Sequence, residues 1–299
     1  MKIQKKSKEL IDYSINIGAF DFLLDNINKI ENSKQPNKGK ILEKDITFVL
    51  GQEPYIEDSS SKRIFSIMKN MDIENKNCIF EVKSDSYKSS GTNKLKKENI
   101  KSYTTKNKKN KDHYKNLKFP INKFVNEGNF YSVWIEGALA TCEKKIENNN
   151  IYWIWELGEP FSKKLNGKSI SSLKRENLKD IDLDILISSV WYEIDRINST
   201  FADFIVTSNP DIKNYISNEF NINKNKIIEN LNPDEIISIE TFIPNFKIKK
   251  LRNSLGKNIS EKVSTTLDIL ENIFDRKEDE DSKKSKELID YSINIGAFD

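Results

Sequence analysis

The sequence is poor in the residues on which several common kinds of site depend. Its 299 residues include two cysteines, Cys78 and Cys142, which form no Cys-x-x-Cys pair, so we expect neither a zinc site nor a disulfide framework. The single histidine, His113, cannot supply a multi-histidine metal site. Its lysine-rich surroundings also argue against a histidine-based catalytic triad. Several classes of enzyme are thereby disfavoured.

Long apolar runs are missing as well. No stretch approaches the ~18 consecutive apolar residues of a membrane-spanning helix, so we expect no membrane partner. The lysine-rich N-terminus has no uninterrupted apolar core and no small-residue cleavage site, so we do not expect secretion. A reducing cytoplasm is the simplest location.

Charge of one sign does not dominate the chain. The formal net charge is +3, so any contact with nucleic acid must be local rather than spread over the molecule. Arginine is rare beside lysine, whereas isoleucine, leucine, phenylalanine and tryptophan recur along most of the chain. A hydrophobic fraction of 36% and a charged fraction of 32% predict a polar but folded protein with a buried core.

Apolar periodicity predicts alternating helices and strands. Residues 9–30 carry an apolar stripe at helical spacing, and 183–194 is apolar enough for a buried helix or strand. We expect strands at 46–50, 130–135, 151–157 and 201–207, a helical turn at 62–69, a β-hairpin of 71–74 with 78–83, and a helix near 94–103. The predicted organisation is an N-terminal helical segment (1–40), an α/β core (41–210), a helical region (211–275) and a charged linker with a repeat (276–299).

The repeat is an identical copy of the N-terminal sequence. Residues 283–299 reproduce residues 5–21 letter for letter. One perfect copy at the opposite end of the chain is unlike a solenoid, whose repeats diverge and recur several times. We interpret it as a recent tandem duplication, as a circular template read past its origin, or as a feature introduced in cloning. The alternative is a segment that competes with its twin for one groove or exchanges between protomers.

The segment 78–83 is the leading candidate for chemistry. Strand alternation places Glu81 and Lys83 on one face with Ile79, and Phe80 and Val82 on the other. In the predicted hairpin, the returning strand would bring Asp72 near Glu81. Two neighbouring carboxylates form a hard-oxygen site suited to Mg²⁺, and an adjacent lysine can orient a metal-bound water.

Asp72 followed by Glu81-Val82-Lys83 in an apolar strand resembles the PD-(D/E)xK nuclease superfamily, which includes most type II restriction endonucleases. The resemblance covers about 65–210. It implies that Asp72 and Glu81 bind Mg²⁺ and that Lys83 positions the attacking water. Met71 stands where the family motif has proline, and the acid spacing is short. Asp58, Glu57 and Asp45 therefore stay open as alternatives for the first acid.

A lysine-rich segment follows the motif. Residues 94–118 hold ten lysines against Glu98 and Asp112, which suggests an arm that contacts DNA phosphates. The predicted nucleic-acid-binding residues are Lys88, Lys94, Lys96, Lys97, Lys101, Lys106, Lys108 and Lys109. A solvated surface in a lysine-biased protein explains the same pattern.

Two further acids end strong strand candidates. Glu136 and Glu156 follow the apolar runs at 130–135 and 151–155. We expect each to be either a third acid near a metal or a solvated carboxylate at a strand end. The overall expectation is an α/β fold with a central mixed sheet flanked by helices, as in restriction endonucleases. With the lysine-rich segment, the resemblance implies a Mg²⁺-dependent endonuclease that cuts double-stranded DNA at specific sequences, as in type II restriction, with a homodimer if the target is palindromic. The alternative is a non-catalytic nucleic-acid-binding accessory protein of a mobile element.

Overall fold

A computed structural model describes most of the first 229 residues. The described ranges are 2–32, 39–42, 44–54, 59–83, 90–107, 113–124, 127–148, 150–169 and 183–229. The terminal repeat at 283–299, the linker before it and the region 230–275 lie outside them. In the described part, no helix is long and apolar enough to cross a membrane.

Helices and strands alternate along the chain after two N-terminal helices. The helices are α1 (Lys2–Ile17), α2 (Ala19–Asn32), α3 (Ser59–Asn70), α4 (Ser90–Lys97), α5 (His113–Phe124), α6 (Trp134–Glu147), α7 (Phe161–Leu165), α8 (Leu183–Phe201) and α9 (Pro210–Glu219). The strands are β1 (Asp45–Leu50), β2 (Asn75–Lys83), β3 (Lys101–Asn107), β4 (Asn129–Val133), β5 (Tyr152–Leu157), β6 (Phe204–Thr207) and β7 (Ile227–Glu229).

The strands form one seven-stranded sheet in the order β3-β2-β1-β4-β5-β6-β7. Every pairing among them is parallel. The central strands are buried along almost their whole length, β4 without interruption. Burial on both faces accounts for their near-continuous apolar sequences, because a parallel sheet is covered by its crossover helices on either side.

Two apolar cores lie on the two faces of the sheet. On one face, α3 and α4 pack against β1 and β2, and the core includes Phe48, Phe80 and Tyr131. On the other face, the core joins Val49, Ile79 and Trp153 to residues of α2, α5, α6, α8 and α9. This is a doubly wound α/β arrangement, in which the crossover helices change face where the strand order reverses between β1 and β4.

The expected α/β class, with a central sheet flanked by helices, is confirmed. The sheet is parallel where a mixed one was expected. The predicted hairpin of 71–74 with 78–83 is wrong, because β2 begins at Asn75 and pairs in parallel with β1 and β3. The helix expected near 94–103 divides into α4 and the edge strand β3.

The N-terminal and C-terminal described segments belong to the same fold as the predicted core. Gly18, with a φ of +82°, separates α1 from α2, where one helix was expected. Trp191 of α8 donates from Nε1 to Ser14 Oγ of α1 at 3.0 Å. Beyond residue 210, α9 and β7 continue the same alternation, and β7 extends the sheet by pairing with β6.

Candidate functional site

The predicted metal ligands lie at opposite ends of β2. Asp72 is exposed and precedes the amino end of the strand, whereas Glu81 lies near its carboxyl end. From Asn75 to Glu81 the strand advances six residues, a rise of about 20 Å. Asp45 is paired with Asn75 and therefore also lies at the amino end.

This arrangement does not fit one Mg²⁺ shared by Asp72 and Glu81. Bonds from a metal ion to carboxylate oxygens are about 2.0–2.6 Å long, far shorter than the separation along the strand. Within the described residues, no group of three or more histidine, cysteine, aspartate or glutamate side chains could hold a metal ion. The alternative acids Glu57 and Asp58, and the side chain of Lys83, lie outside the described part of the structure.

Glu81 instead pairs with the single histidine. Its carboxylate is 6% exposed and faces the same side of the sheet as Ile79, as the strand alternation predicted. Its Oε2 lies 2.8 Å from Nδ1 of His113, the first residue of α5. Sequence reasoning placed His113 in a lysine-rich loop and missed this contact, because 32 residues separate the partners.

The lysines of the predicted DNA arm do not surround Glu81 in the part that is described. Helix α4 runs from the carboxyl end of β2 back to the amino end of β3, so Lys96, Lys97 and Lys101 lie near the amino edge of the sheet, and all three are exposed. Lys94 Nζ lies 4.4 Å from the centre of the Phe65 ring. Lys106 is in β3 but its side chain is not described. Lys88, Lys108 and Lys109 lie outside the described residues.

A crevice opens at the carboxyl edge of the sheet, where β1 and β4 are neighbours. Its volume is about 570 Å³. The chain leaves β1 toward one face and β4 toward the other, and the crevice lies between the diverging segments. Its walls come from the ends of four strands, the first turns of α3 and α6, and side chains of α1, α7 and α8; they include Tyr13, Gln52, Ser60, Arg63, Trp134, Glu136, Trp155, Glu156, Glu159, Phe161, Asp195 and Ser208.

The junction of β4 and α6 places Glu136 in the crevice. The helix begins directly at Trp134, whose φ of +58° is unusual for a residue other than glycine. Gly51 lies against this turn, because a Cβ atom there would approach Glu136 Oε2 to 2.4 Å. Gly137 lies against β1, since its Cβ would meet the Val49 carbonyl oxygen at 2.4 Å. The two glycines therefore permit the close packing of β1 against α6.

Arg63 and Glu156 form an ion pair across the floor of the crevice. Arg63 Nε donates to Glu156 Oε1 at 2.8 Å, and the hydroxyl of Tyr131 donates to the other carboxylate oxygen. Burial lowers the pKa of Arg63, but the charge and hydrogen bond of Glu156 outweigh it and raise that pKa. Burial also raises the pKa of Tyr131, and Glu156 adds to the effect. Glu156, expected to be a solvated or metal-binding acid, is occupied by these two partners.

Two other carboxylates of the crevice have raised pKa values. Burial raises the pKa of Glu136; a backbone hydrogen bond and His113 lower it, and the charge of Glu81 raises it further. Asp195 of α8 is 1% exposed, and its Oδ2 accepts from the Ser162 backbone N–H at 2.7 Å. Burial raises the pKa of Asp195 to about 6, although the Ser162 hydrogen bonds oppose the rise. Raised carboxylate pKa values in a cleft are typical of binding and catalytic sites.

Sequence reasoning found part of this site. Glu136 and Glu156 were recognisable as acids at strand ends, but Tyr13, Arg63 and Asp195 carry no local signal. In comparisons with known proteins, no family model matches the chain and no curated protein matches it.

Proposed function

We propose that this protein binds a small polar molecule, rich in hydroxyl or amino groups, in the crevice between β1 and β4. The observation that carries the proposal is the position and size of the cavity. In doubly wound α/β folds, ligands bind outside the carboxyl ends of the strands, where the strand order reverses. A volume of about 570 Å³ is within the range of small-molecule sites.

The charges of the lining favour a ligand that donates hydrogen bonds. Four carboxylates and one arginine line the crevice, namely Glu136, Glu156, Glu159, Asp195 and Arg63. The arginine is already paired with one of the acids. Ionised carboxylates only accept hydrogen bonds, so they favour hydroxyl or ammonium groups and repel phosphates.

Helix α6 begins in the crevice, but its N-terminus does not change the preference for a ligand that donates hydrogen bonds. The N-terminus of a helix attracts negative charge. In α6, however, the first turn already contains Glu136, and a backbone hydrogen bond to it lowers its pKa. An anionic ligand would have to compete with this carboxylate. The loop after β1 also contains a single glycine, Gly51, so it lacks the Gly-x-Gly-x-x-Gly pattern of dinucleotide-binding proteins.

Aromatic rings supply the apolar part of the lining. Tyr13, Trp134, Trp155 and Phe161 border the cavity. Flat rings beside a few convergent polar groups suit a molecule with one apolar face and several hydroxyl groups, as in a monosaccharide. We therefore expect carbohydrate-like ligands to bind better than nucleotides or free phosphate.

A charge-matched panel tests the proposal. Glucose, glucosamine and glucose 6-phosphate share one ring and are neutral, cationic and anionic; a wider set of neutral and amino monosaccharides covers stereochemistry, with ATP as a nucleotide. Saturation-transfer NMR is expected to show binding of neutral or amino sugars that Trp134→Ala removes. Exposed Phe119, replaced by alanine, is the matched control. Binding confined to phosphorylated compounds, no binding across the panel, or binding unchanged in Trp134→Ala contradicts the proposal.

Cleavage of double-stranded DNA with Mg²⁺, and assembly as a homodimer, stay predictions from the sequence. The exposed lysines Lys96, Lys97 and Lys101 support a contact with phosphates. Plasmid DNA incubated with Mg²⁺ and wild-type protein, Glu81→Ala or Lys83→Ala tests the activity. Discrete fragments that both substitutions abolish, with binding retained, favour the nuclease. Binding without cleavage by the wild type favours the accessory protein.

A further inference from the structure

Glu81 and Glu136 lie on the same face of the sheet, on either side of Gly51. Val49 of β1 and Ile79 of β2 are the last pair of their register, and two residues further along each chain stand Gly51 and Glu81, both at the carboxyl edge of the sheet. The space that a side chain of Gly51 would fill is occupied by the Glu136 carboxylate, since a Cβ atom there would lie 2.4 Å from Oε2. The absence of a side chain at Gly51 is therefore what admits Glu136 to this position.

His113 contacts Glu81 and acts electrostatically on Glu136. Its Nδ1 lies 2.8 Å from Glu81 Oε2, and it is the first residue of α5, which packs beside α6 on this face. The Glu81 side chain is 6% exposed and the His113 side chain 26% exposed. A buried carboxylate on one ring nitrogen fixes the orientation of a histidine ring. Both residues also act electrostatically on Glu136, with opposite signs.

We propose that Glu81, His113 and Glu136 form one acid–base unit at the crevice, in which Glu136 binds a hydroxyl or amino group of the ligand. Glu136 is the ligand-contacting member because it borders the cavity, whereas Glu81 and His113 do not. Glu81 and His113 are positioning residues, which act through the charge of Glu136. The inference rests on the proposed function, because that function places the ligand in the crevice.

Several neighbouring groups bear on the charge of Glu136. Tyr13 of α1 borders the cavity and interacts electrostatically with Glu136, and burial followed by that charge raises the pKa of Tyr13. A backbone hydrogen bond also reaches the Glu136 carboxylate and lowers its pKa. Lys115, two residues after His113, is held outward by Asp21 at 2.9 Å. His113, at the start of α5, lowers the pKa of Glu136.

The ligand-free protein offers one test, because His113 is the only histidine in the chain. Its ring gives a single set of signals in ¹H–¹⁵N NMR at one fixed pH. Glu136→Gln is expected to shift the ring signals, and Glu81→Gln to shift them more. Glu127→Gln, on an exposed acid at the amino end of β4, is expected to leave them unchanged. Unchanged signals in Glu136→Gln overturn the proposed unit.

Affinity for the best-binding monosaccharide of the panel gives the second test. Glu136→Gln is expected to weaken binding about tenfold or more, as for a lost hydrogen bond to a charged group. Glu81→Gln is expected to weaken binding in the wild type but to add little in the Glu136→Gln background, because it acts through Glu136.

Independent, additive effects of the two substitutions, or wild-type affinity in Glu136→Gln, overturn the inference while leaving crevice binding in place. Absence of any sugar binding by the wild type contradicts the proposed function instead. In that case the NMR test of the three-residue unit is unaffected.

Discussion

Replacing Asp195 with asparagine is expected to stabilise the protein near neutral pH. Burial raises the pKa of this carboxyl from 3.8 to about 6, despite the hydrogen bonds from Ser162. A group whose pKa is higher in the folded than in the unfolded state binds protons more readily when folded. The folded state therefore loses stability as the pH rises from about 4 to about 6 and carries the full cost above that window.

The two pKa values fix the size of the effect. The rise from 3.8 to about 6 corresponds to a cost of ~3 kcal/mol for the ionised Asp195 at pH 7–8, as an upper limit. Asparagine has nearly the same shape, keeps an oxygen to accept from the Ser162 N–H, and carries no charge. The variant should gain up to that amount at pH 8 and roughly half of it at pH 5.

Urea unfolding of the wild type and Asp195→Asn at pH 5 and pH 8 measures both quantities. Asp12→Asn, on the exposed face of α1, is the matched control and should change the free energy of unfolding by less than ~0.5 kcal/mol. A destabilised Asp195→Asn at pH 8, or a difference from the wild type that does not shrink at pH 5, would refute the reasoning. Loss of sugar binding by the stabilised variant would mark Asp195 as a functional acid kept at a cost in stability.

Two further substitutions test the packing that supports the site. Lys145→Met leaves Asp203 without its buried cation, since the Lys145 Nζ lies 2.8 Å from Asp203 Oδ2. In a urea titration the substitution is expected to lower the free energy of unfolding by ~3–5 kcal/mol. A change under ~1 kcal/mol would contradict this. Gly137→Ala is expected to cost ~1–3 kcal/mol, because its Cβ would meet the Val49 carbonyl oxygen at 2.4 Å. Gly158→Ala meets nothing within 4 Å and should be neutral or slightly stabilising in the same assay; equal effects of the two glycine substitutions would argue against the close contact.

The central strands were predictable because burial leaves a strong mark on sequence. β1, β4, β5 and β6 are short runs of aromatic and β-branched residues, and each was expected within a few positions of its observed bounds. The edge of the sheet was not predictable in the same way. β3 is a polar strand, Lys101–Asn107, that pairs on one side with β2, in a region whose sequence predicts a helix. Its conformation depends on a tertiary partner, which local propensity does not record.

The site, like the sheet, is predictable from the sequence only in part. Glu136 could be singled out because it directly follows a strong strand, and strand ends in α/β proteins collect at one edge. Tyr13 and Asp195 both line the crevice, although 182 positions separate them in the chain. No spacing rule connects two such residues, since they are joined only by the packing of α1 against α8. The Glu81–His113 pair was missed for a similar reason, because it needs α5 to return over β2.

Strand direction decides what Glu81 can do. In an antiparallel hairpin, the residues before the turn would lie opposite Glu81, and Asp72 would be its partner. In the parallel sheet, the chain before β2 is at the amino edge, and the neighbours of Glu81 are the residues that follow β1 and begin α5. Glu81 therefore has His113 as its contact and Glu136 as an electrostatic neighbour, in place of a second metal-binding acid. A Glu-x-Lys motif in a strand is therefore compatible with quite different chemistry. Whether the segment before the strand pairs with it in an antiparallel hairpin or lies at the amino edge of a parallel sheet decides which partners the glutamate has.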